Sequence, residues 1–433
     1  MLIRFSLENY LSFRERQTLD LTAARTCKER REENAFQLSS KDSLLRTVGL
    51  YGANASGKSN LFNALGFFID FVRTSFGERE ATAMIDTIPF MFDDISRAKP
   101  SSFEIEFVVG EVWYKYGFSA DDKRILSEWL YFKDLNAATF KPKFLRKVVE
   151  GEDSIDVAPS FVGADDLIVE KTRENALFLS TCAGLAVGEA IDIVKEMASY
   201  VFWLASSDRP NFTADMLEQG ENRADILKLI KKADPSVDDI EVERIEVDTG
   251  KTRANGTPIK KVRFRVTMLH NRDGAGKTRL PLYGLGSLGT CKAFELAGPI
   301  FAALSSGSVL FIDELDSRLH PILTREIIKL FNSLETNPRN AQLIFNTHDT
   351  NLLNCKVYTP SRDRKEQLLR RDQIYFVERT GEYASRMYSL VDFKDENGVS
   401  VRNDASFEKE YLEGRYGAIP FIGADDFRPS LEA

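Results

Sequence analysis

Leu44-Leu45-Arg46-Thr47-Val48-Gly49-Leu50-Tyr51-Gly52-Ala53-Asn54-Ala55-Ser56-Gly57-Lys58-Ser59 runs from a short apolar segment into a glycine-bearing loop. The apolar part, Leu44 to Tyr51, predicts a buried strand. Gly52 to Ser59 matches GxxxxGK[ST] in full. Beyond it, Leu61, Leu65, Phe68, Ile69, Val72 and Phe76 recur at helical spacing. A strand, a glycine loop and an amphipathic helix in that order make a phosphate cradle. The glycines let backbone N–H groups turn inward, and the helix presents its positive end. Gly52, Asn54, Ala55, Ser56, Gly57, Lys58, Ser59 and Asn60 are therefore the expected nucleotide-binding residues. Lys58 would neutralise the β- and γ-phosphates, and Ser59 Oγ would ligate Mg²⁺. A glycine turn that merely caps a helix is the bland alternative, and the flanking strand and helix weigh against it.

A second half-site lies far along the chain. Ser308-Val309-Leu310-Phe311-Ile312-Asp313-Glu314 is an apolar strand ending in two acids. Asp313 at its tip is placed to hold Mg²⁺, and Glu314 to polarise an attacking water. The next buried strand, Gln342 to Phe345, leads into Asn346-Thr347-His348-Asp349. A histidine there can reach a γ-phosphate and sense its loss. Upstream, Gly286-Ser287-Leu288-Gly289-Thr290 opens a helix through Phe294 and Leu296, where Ser287 and backbone amides can grip a γ-phosphate or simply cap the helix. His320 before Pro321 is a helix cap, and His270 is structural. Three scattered His and four single Cys form no catalytic metal cluster.

The rest of the chain supplies the frame. Ile3, Phe5 and Leu7 alternate with polar residues, break around Asn9 to Phe13, and resume at Leu19 and Leu21, predicting a two-stranded meander. Phe103, Ile105 and Phe107 alternate toward Gly110-Glu111, a hairpin turn, and Val112, Tyr114, Tyr116 and Phe118 alternate on the return. Strands are expected at Ile125 to Lys133, Phe140 to Val149 and Val262 to Val266, with helices at Glu189 to Leu204 and Asn222 to Ala233. Pro321 begins a helix with Leu323, Ile327, Leu330, Phe331 and Leu334 on its apolar face, and Gln373 to Val377 is a further strand. The expected division is a phosphate-loop α/β part from 1–76 and 280–433, interrupted by a mixed strand/helix insertion over 77–279. The fold class is α/β, without a persistent heptad pattern or long coiled coil.

Composition bounds the function classes. The 433 residues include 66 acids and 58 bases, for a net charge of −8, with 43% apolar and 11% aromatic residues. That is ample for a large core, so disorder is excluded as the main state. No apolar run approaches the ~18 residues a membrane span needs, and Met1 to Ser6 does not open a signal peptide. Cys27, Cys182, Cys291 and Cys355 are spaced as reduced thiols, which fits a cytoplasmic protein. The overall acidity argues against general coating of nucleic acid, leaving only local basic clusters.

The order of phosphate loop, long insertion, Ser-x-Gly-Thr, acidic strand and histidine resembles the ABC-type ATPase heads of the SMC and RecF class. Ile3-Arg4-Phe5-Ser6-Leu7-Glu8-Asn9-Tyr10-Leu11-Ser12-Phe13 looks like that class's first strands. Within the class, Asp313-Glu314-Leu315-Asp316-Ser317-Arg318-Leu319-His320-Pro321, the Asn346 to Leu353 segment, Arg370 to Val377 and Gly414-Arg415-Tyr416-Gly417-Ala418-Ile419-Pro420 resemble the RloA and AbiL ATPases of phage-defence loci. The Septu and PARIS ATPases are more distant kin. No Gln lies between Ser59 and Phe118, so the glutamine of the usual Q-loop is missing.

The resemblance implies an ATP- and Mg²⁺-dependent switch. Two heads of a homodimer, or higher homo-oligomer, would sandwich two ATP molecules. Lys58, Ser59 and Asp313 of one copy would face Ser287 and Gly289 of the other, with Glu314 positioning water and His348 supporting the reaction. A separate effector, a nuclease or toxin, is the implied partner, with no membrane involved. The alternatives are a RecF-like DNA repair ATPase and an ATP-dependent scaffold. In the DNA reading, Lys141, Lys143, Arg146 and Lys147, or Lys260, Lys261, Arg263 and Arg265, would line a groove; solvated strand faces are the bland reading of both clusters.

Overall fold

The computed structural model describes residues 1–203, 211–252, 258–272, 276–359 and 364–420. Two sheets enclose the helix Lys58–Thr74. One is an antiparallel sheet of seven strands, in spatial order Glu152–Val157, Lys141–Val149, Ile125–Asp134, Val112–Ala120, Ser101–Val109, Leu2–Glu8 and Gln17–Asp20. The N-terminal alternation does form a meander, with Phe5 opposite Leu19. Its other edge pairs with the strand Ser101–Val109, with Phe5 opposite Ile105. The sheet therefore joins strands from either side of residue 77. Gly110, at φ +58°, turns the hairpin that follows.

The second sheet has the order Val201–Trp203, Val309–Ile312, Gln342–Asn346, Thr47–Tyr51, Ile374–Arg379 and Ser385–Ser389. All neighbours are parallel except the last pair. Its central strands are buried along their length and mostly apolar, as a sheet covered on both faces requires. The Lys58–Thr74 helix packs on both sheets. Phe62 meets Phe311 edge-on at 5.9 Å, while Phe68 stacks on Phe118 at 5.3 Å and touches Phe5 at 5.9 Å. Offset and edge contacts of this kind add about 0.5–1.5 kcal/mol each to plain burial. The opposite face of the parallel sheet is covered by the helices Leu288–Ser306 and Pro321–Phe331. A three-stranded antiparallel sheet, Asp239–Thr252, Pro258–Arg272 and Gly276–Pro281, lies beside them.

Several expectations are revised. The Leu44–Tyr51 run is two strands, Ser43–Leu45 and Thr47–Tyr51. Arg46 interrupts it because its buried guanidinium donates to the carbonyls of Glu32, Glu33 and Ala35. The helix expected at Glu189 to Leu204 ends at Ala198, and Val201–Trp203 becomes the edge strand of the parallel sheet; Leu204 lies outside the described residues. Phe76 falls beyond its helix, and Leu334 is exposed past the end of another. Among the described residues no helix is long and apolar enough to cross a membrane, and the 19-residue Leu288–Ser306 helix pairs with no coiled-coil partner.

Candidate nucleotide site

The phosphate loop is shaped by close approach. Gly52 has φ +155°, and a Cβ there would stand 2.1 Å from the Val377 carbonyl oxygen. Gly57 has φ +112°, and a Cβ would meet Ser385 Oγ at 2.2 Å and Ser12 Oγ at 2.8 Å. Both positions exclude a side chain on steric grounds and on backbone conformation. Ala55, at φ +60°, carries the loop's remaining left-handed turn. Behind the loop, Asn60 Nδ2 donates to Ser12 Oγ at 2.8 Å, and Ser385 Oγ donates to the Ser56 carbonyl at 2.6 Å. Ser12 and Ser385 lie 2.7 Å apart, hydroxyl to hydroxyl.

Lys58 opens the helix and is buried, its Nζ donating to the carbonyls of Gly52 at 2.7 Å and Ala53 at 2.9 Å. Burial pushes its pKa down to about 8, against the pull of Asp313, Asp316 and Glu314. An ammonium held by two carbonyls rather than a carboxylate is poised to exchange them for phosphate oxygens.

The two half-sites meet through adjacent parallel strands. Ser59 Oγ donates to Asp313 Oδ1 at 3.0 Å. Asn346, at the end of the neighbouring strand, donates from Nδ2 to the same Asp313 oxygen and accepts the Glu314 N–H at 2.5 Å. Glu314 is exposed at φ +53°, a conformation this amide bond holds. His348 is exposed, and its backbone N–H faces both oxygens of Asp316 at 3.3 Å. Partial burial first, and the Lys58 charge second, lower its pKa, which keeps the imidazole neutral at pH 7. Asp313 and Ser59 thus offer converging hard oxygens of the kind Mg²⁺ prefers. No group of three or more His, Cys, Asp or Glu forms a preassembled metal cage among the described residues.

Among the described residues, the Ser287 side chain makes its hydrogen bonds within its own helix rather than to this cluster. Ser287 Oγ caps its own helix, accepting the Thr290 N–H at 3.0 Å, and Thr290 Oγ1 donates to Asp234 at 2.9 Å. Gly289 packs against the Arg318 carbonyl, with 3.1 Å left for a Cβ. Leu285 and Leu288 flank this helix start, both 64% exposed.

Residues 48–354 match the family model described as "AAA domain, putative AbiEii toxin, Type IV TA system". The chain belongs to that family. No curated protein matches it in sequence. Two solved structures of the recombination mediator protein RecF in the RecFOR pathway are similar at low level. The complex with ATPrS is 11% identical, covers 89% of this chain and 98% of its own, and superposes with a TM-score of 0.30. The complex with ATP is 12% identical, covers 89% and 97%, and gives 0.31. Neither superposition is close enough to bear on the site.

Within the AAA domain, Lys58, Ser59, Asp313, Glu314 and His348 come together. Asn346, Ser12, Ser385 and Asp316 were not assigned roles by sequence reasoning. A polar residue closing the apolar run Leu343-Ile344-Phe345, two positions ahead of His348, was the available signal for Asn346. Of the two expected basic grooves, the first has two of its four cations buried in ion pairs, and the second carries solvent-exposed pairs. Lys143 is buried on Glu189 at 2.9 Å, and Arg146 is fully buried against Asp153 at 2.5 Å and Glu128 at 3.7 Å. On the other cluster, Lys260 pairs with Glu246 and Arg265 with Glu243.

Proposed function

We propose that this chain is an ATP-hydrolysing switch whose nucleotides are sandwiched between two copies. The Ser59–Asp313–Asn346–Glu314 hydrogen-bonded relay carries this reading. It ties the phosphate-loop helix, the metal-holding acid and the water-positioning acid into one unit across neighbouring strands. Gly52, Asn54, Ala55, Ser56, Gly57, Lys58 and Asn60 cradle the triphosphate. Ser59 and Asp313 would hold Mg²⁺, which supplies charge neutralisation on the phosphates when bound. Glu314, exposed at the strand end, orients and deprotonates water, and neutral His348 offers a ring N–H to the γ-phosphate.

The exposed Leu285 and Leu288 beside Ser287 and Gly289 support a second copy closing over the nucleotide. Loss of the γ-phosphate then loosens the pair, so the chemistry drives a conformational change. The family description supports a place in a toxin–antitoxin or abortive-infection setting. We assign the chain as the sensor or regulator of a bacterial antiphage system, of the kind that RloA and AbiL represent, controlling a separate nuclease or toxin. The proposed arm over 77–279 offers surface for that partner. A RecF-like DNA role has less support, since Lys143 and Arg146 are buried in ion pairs and Lys260 and Arg265 face Glu246 and Glu243 on the paired strand.

Titration of ATP into the intact protein and two variants tests the reading. Lys58→Ala should abolish ATP binding, and Glu314→Gln should bind ATP, hydrolyse it at least about 100-fold more slowly and accumulate as a dimer. Normal hydrolysis by Lys58→Ala would refute the assignment. A trapped dimer in which Ser287 lay far from the partner's nucleotide would refute the sandwich.

A further inference from the structure

An exposed aromatic pair stands beside the phosphate loop with no role in the machinery above. Phe92 and Tyr383 stack on each other with ring centroids 5.2 Å apart, yet each remains 58% exposed. They come from distant segments. Phe92 precedes a short helix capped by Asp93, and packs on buried Phe90 at 5.5 Å. Tyr383 tips the hairpin between the strands Ile374–Arg379 and Ser385–Ser389, at φ +64°. A left-handed tyrosine costs conformational energy, of order 1 kcal/mol. Here it is fixed by Tyr383 N donating to the Thr380 carbonyl at 3.0 Å and Thr380 N donating to the Ala384 carbonyl at 2.8 Å.

Arg379 joins this pair to the loop. Its Nη1 donates to the Ala55 carbonyl at 3.3 Å, and its Nε to the Tyr383 carbonyl at 3.0 Å. Its guanidinium lies 5.5 Å from the Phe92 ring centre and 5.8 Å from that of Tyr383. It has no carboxylate partner among the described residues. Arg14, paired with Glu382 at 2.5 Å, closes the neighbouring edge. A cation, two exposed rings and a phosphate loop are thus continuous through one side chain.

We propose that Phe92 and Tyr383, braced by Arg379, form the stacking shelf for the base of the nucleoside triphosphate held at Lys58. This rests on the nucleotide reading above and adds the subsite that distinguishes a nucleotide from bare polyphosphate. The two rings stack on each other, so a base adds to the outer face of the stack, and purines gain most because they cover the larger area. Arg379 contributes cation–π attraction from the phosphate side. The shelf explains why apolar rings are left in water at this edge: the ligand covers them.

Affinities of Mg-ATP and of Mg-tripolyphosphate, measured by calorimetry on the full chain, test the shelf. Phe92→Ala and Tyr383→Ala should each weaken ATP about 10-fold and leave tripolyphosphate unchanged, while Tyr383→Phe keeps the ring and should bind ATP normally. Unchanged ATP affinity in both alanine variants overturns the shelf, and leaves the loop assignment standing if Lys58→Ala still abolishes binding. ATP bound equally by Lys58→Ala and intact protein removes the loop assignment itself, and the shelf with it. Alanine variants that bind ATP normally but no longer dimerise with it would assign the rings to a second copy of the chain and overturn the proposal.

Discussion

The Ala53 amide, second in the phosphate loop, donates to the carbonyl of Ala418 at 2.9 Å. The C-terminal segment therefore acts as a brace on the loop. Tyr411 OH donates to the same Ala418 oxygen at 3.1 Å, and the Ala418 N–H reaches Glu378 at 3.3 Å. Tyr388 OH donates to the Tyr416 carbonyl. Tyr411 and Tyr416 of this segment are buried on the chain's own head.

Gly417 is the weak point of the brace. It has φ +67°, and a Cβ would stand 2.5 Å from Glu378 Oε2. Gly417→Ala should cost about 1–2 kcal/mol from the left-handed backbone alone. It should displace Ala418 and weaken ATP several-fold. Thermal unfolding and ATP titration check this; a lowered midpoint with unchanged affinity would confine the brace to stability.

Asn346 should matter for turnover more than for binding. Removing its side chain frees the Glu314 N–H and one hydrogen bond on Asp313. Glu314 at φ +53° would then relax and misplace its carboxylate. Asn346→Ala is expected to lower kcat about 100-fold, the usual cost of misplacing a catalytic group by ~1 Å, with ATP affinity changed little. Steady-state rates beside equilibrium binding separate the two effects.

Lys58 sets a pH dependence. Its pKa of about 8 in the folded chain lies below the ordinary value of about 10.4. Below pH 8 the group is charged in folded and unfolded chains alike, and the burial penalty is carried in full. Between about pH 8 and about 10.4 the unfolded chain holds a proton the folded chain has released, so this group's contribution to stability rises with pH. Phosphate binding needs the charged form. ATP affinity should therefore fall above pH 8, and binding near pH 8.5 should take up a proton. Calorimetry in buffers of different ionisation enthalpy reads that uptake, which Lys58→Arg should abolish.

Arg146 should behave as a core residue. Its guanidinium is fully buried with Glu128, whose carboxylate also accepts the amides of Phe178 and Leu179 and the Tyr116 hydroxyl. Glu128→Ala leaves two buried amides and the Tyr116 hydroxyl unpaired while Arg146 keeps Asp153, and should destabilise the chain by about 1–3 kcal/mol per unpaired group. Arg146→Ala should unfold the protein earlier in urea by a comparable margin. Duplex DNA binding that vanished in a well-folded Arg146→Ala protein would contradict this.

The local chemistry was legible without coordinates. Gly52 to Ser59, the acids closing the strand at Asp313, the Ser287 cap, the His320 cap on Ile322 and the Gly110 turn are each written in consecutive residues. Local hydrogen bonds and steric limits depend on spacing of a few residues, so pattern suffices for them. The relay through Asn346, the Ala53–Ala418 brace, the stacking of Phe92 on Tyr383 and the burial of Arg146 were decided by tertiary structure alone. Alternation along a strand says which face is buried, but not which strand lies beside it. Strand order in the two sheets brought these distant residues together, and no local period encodes that order.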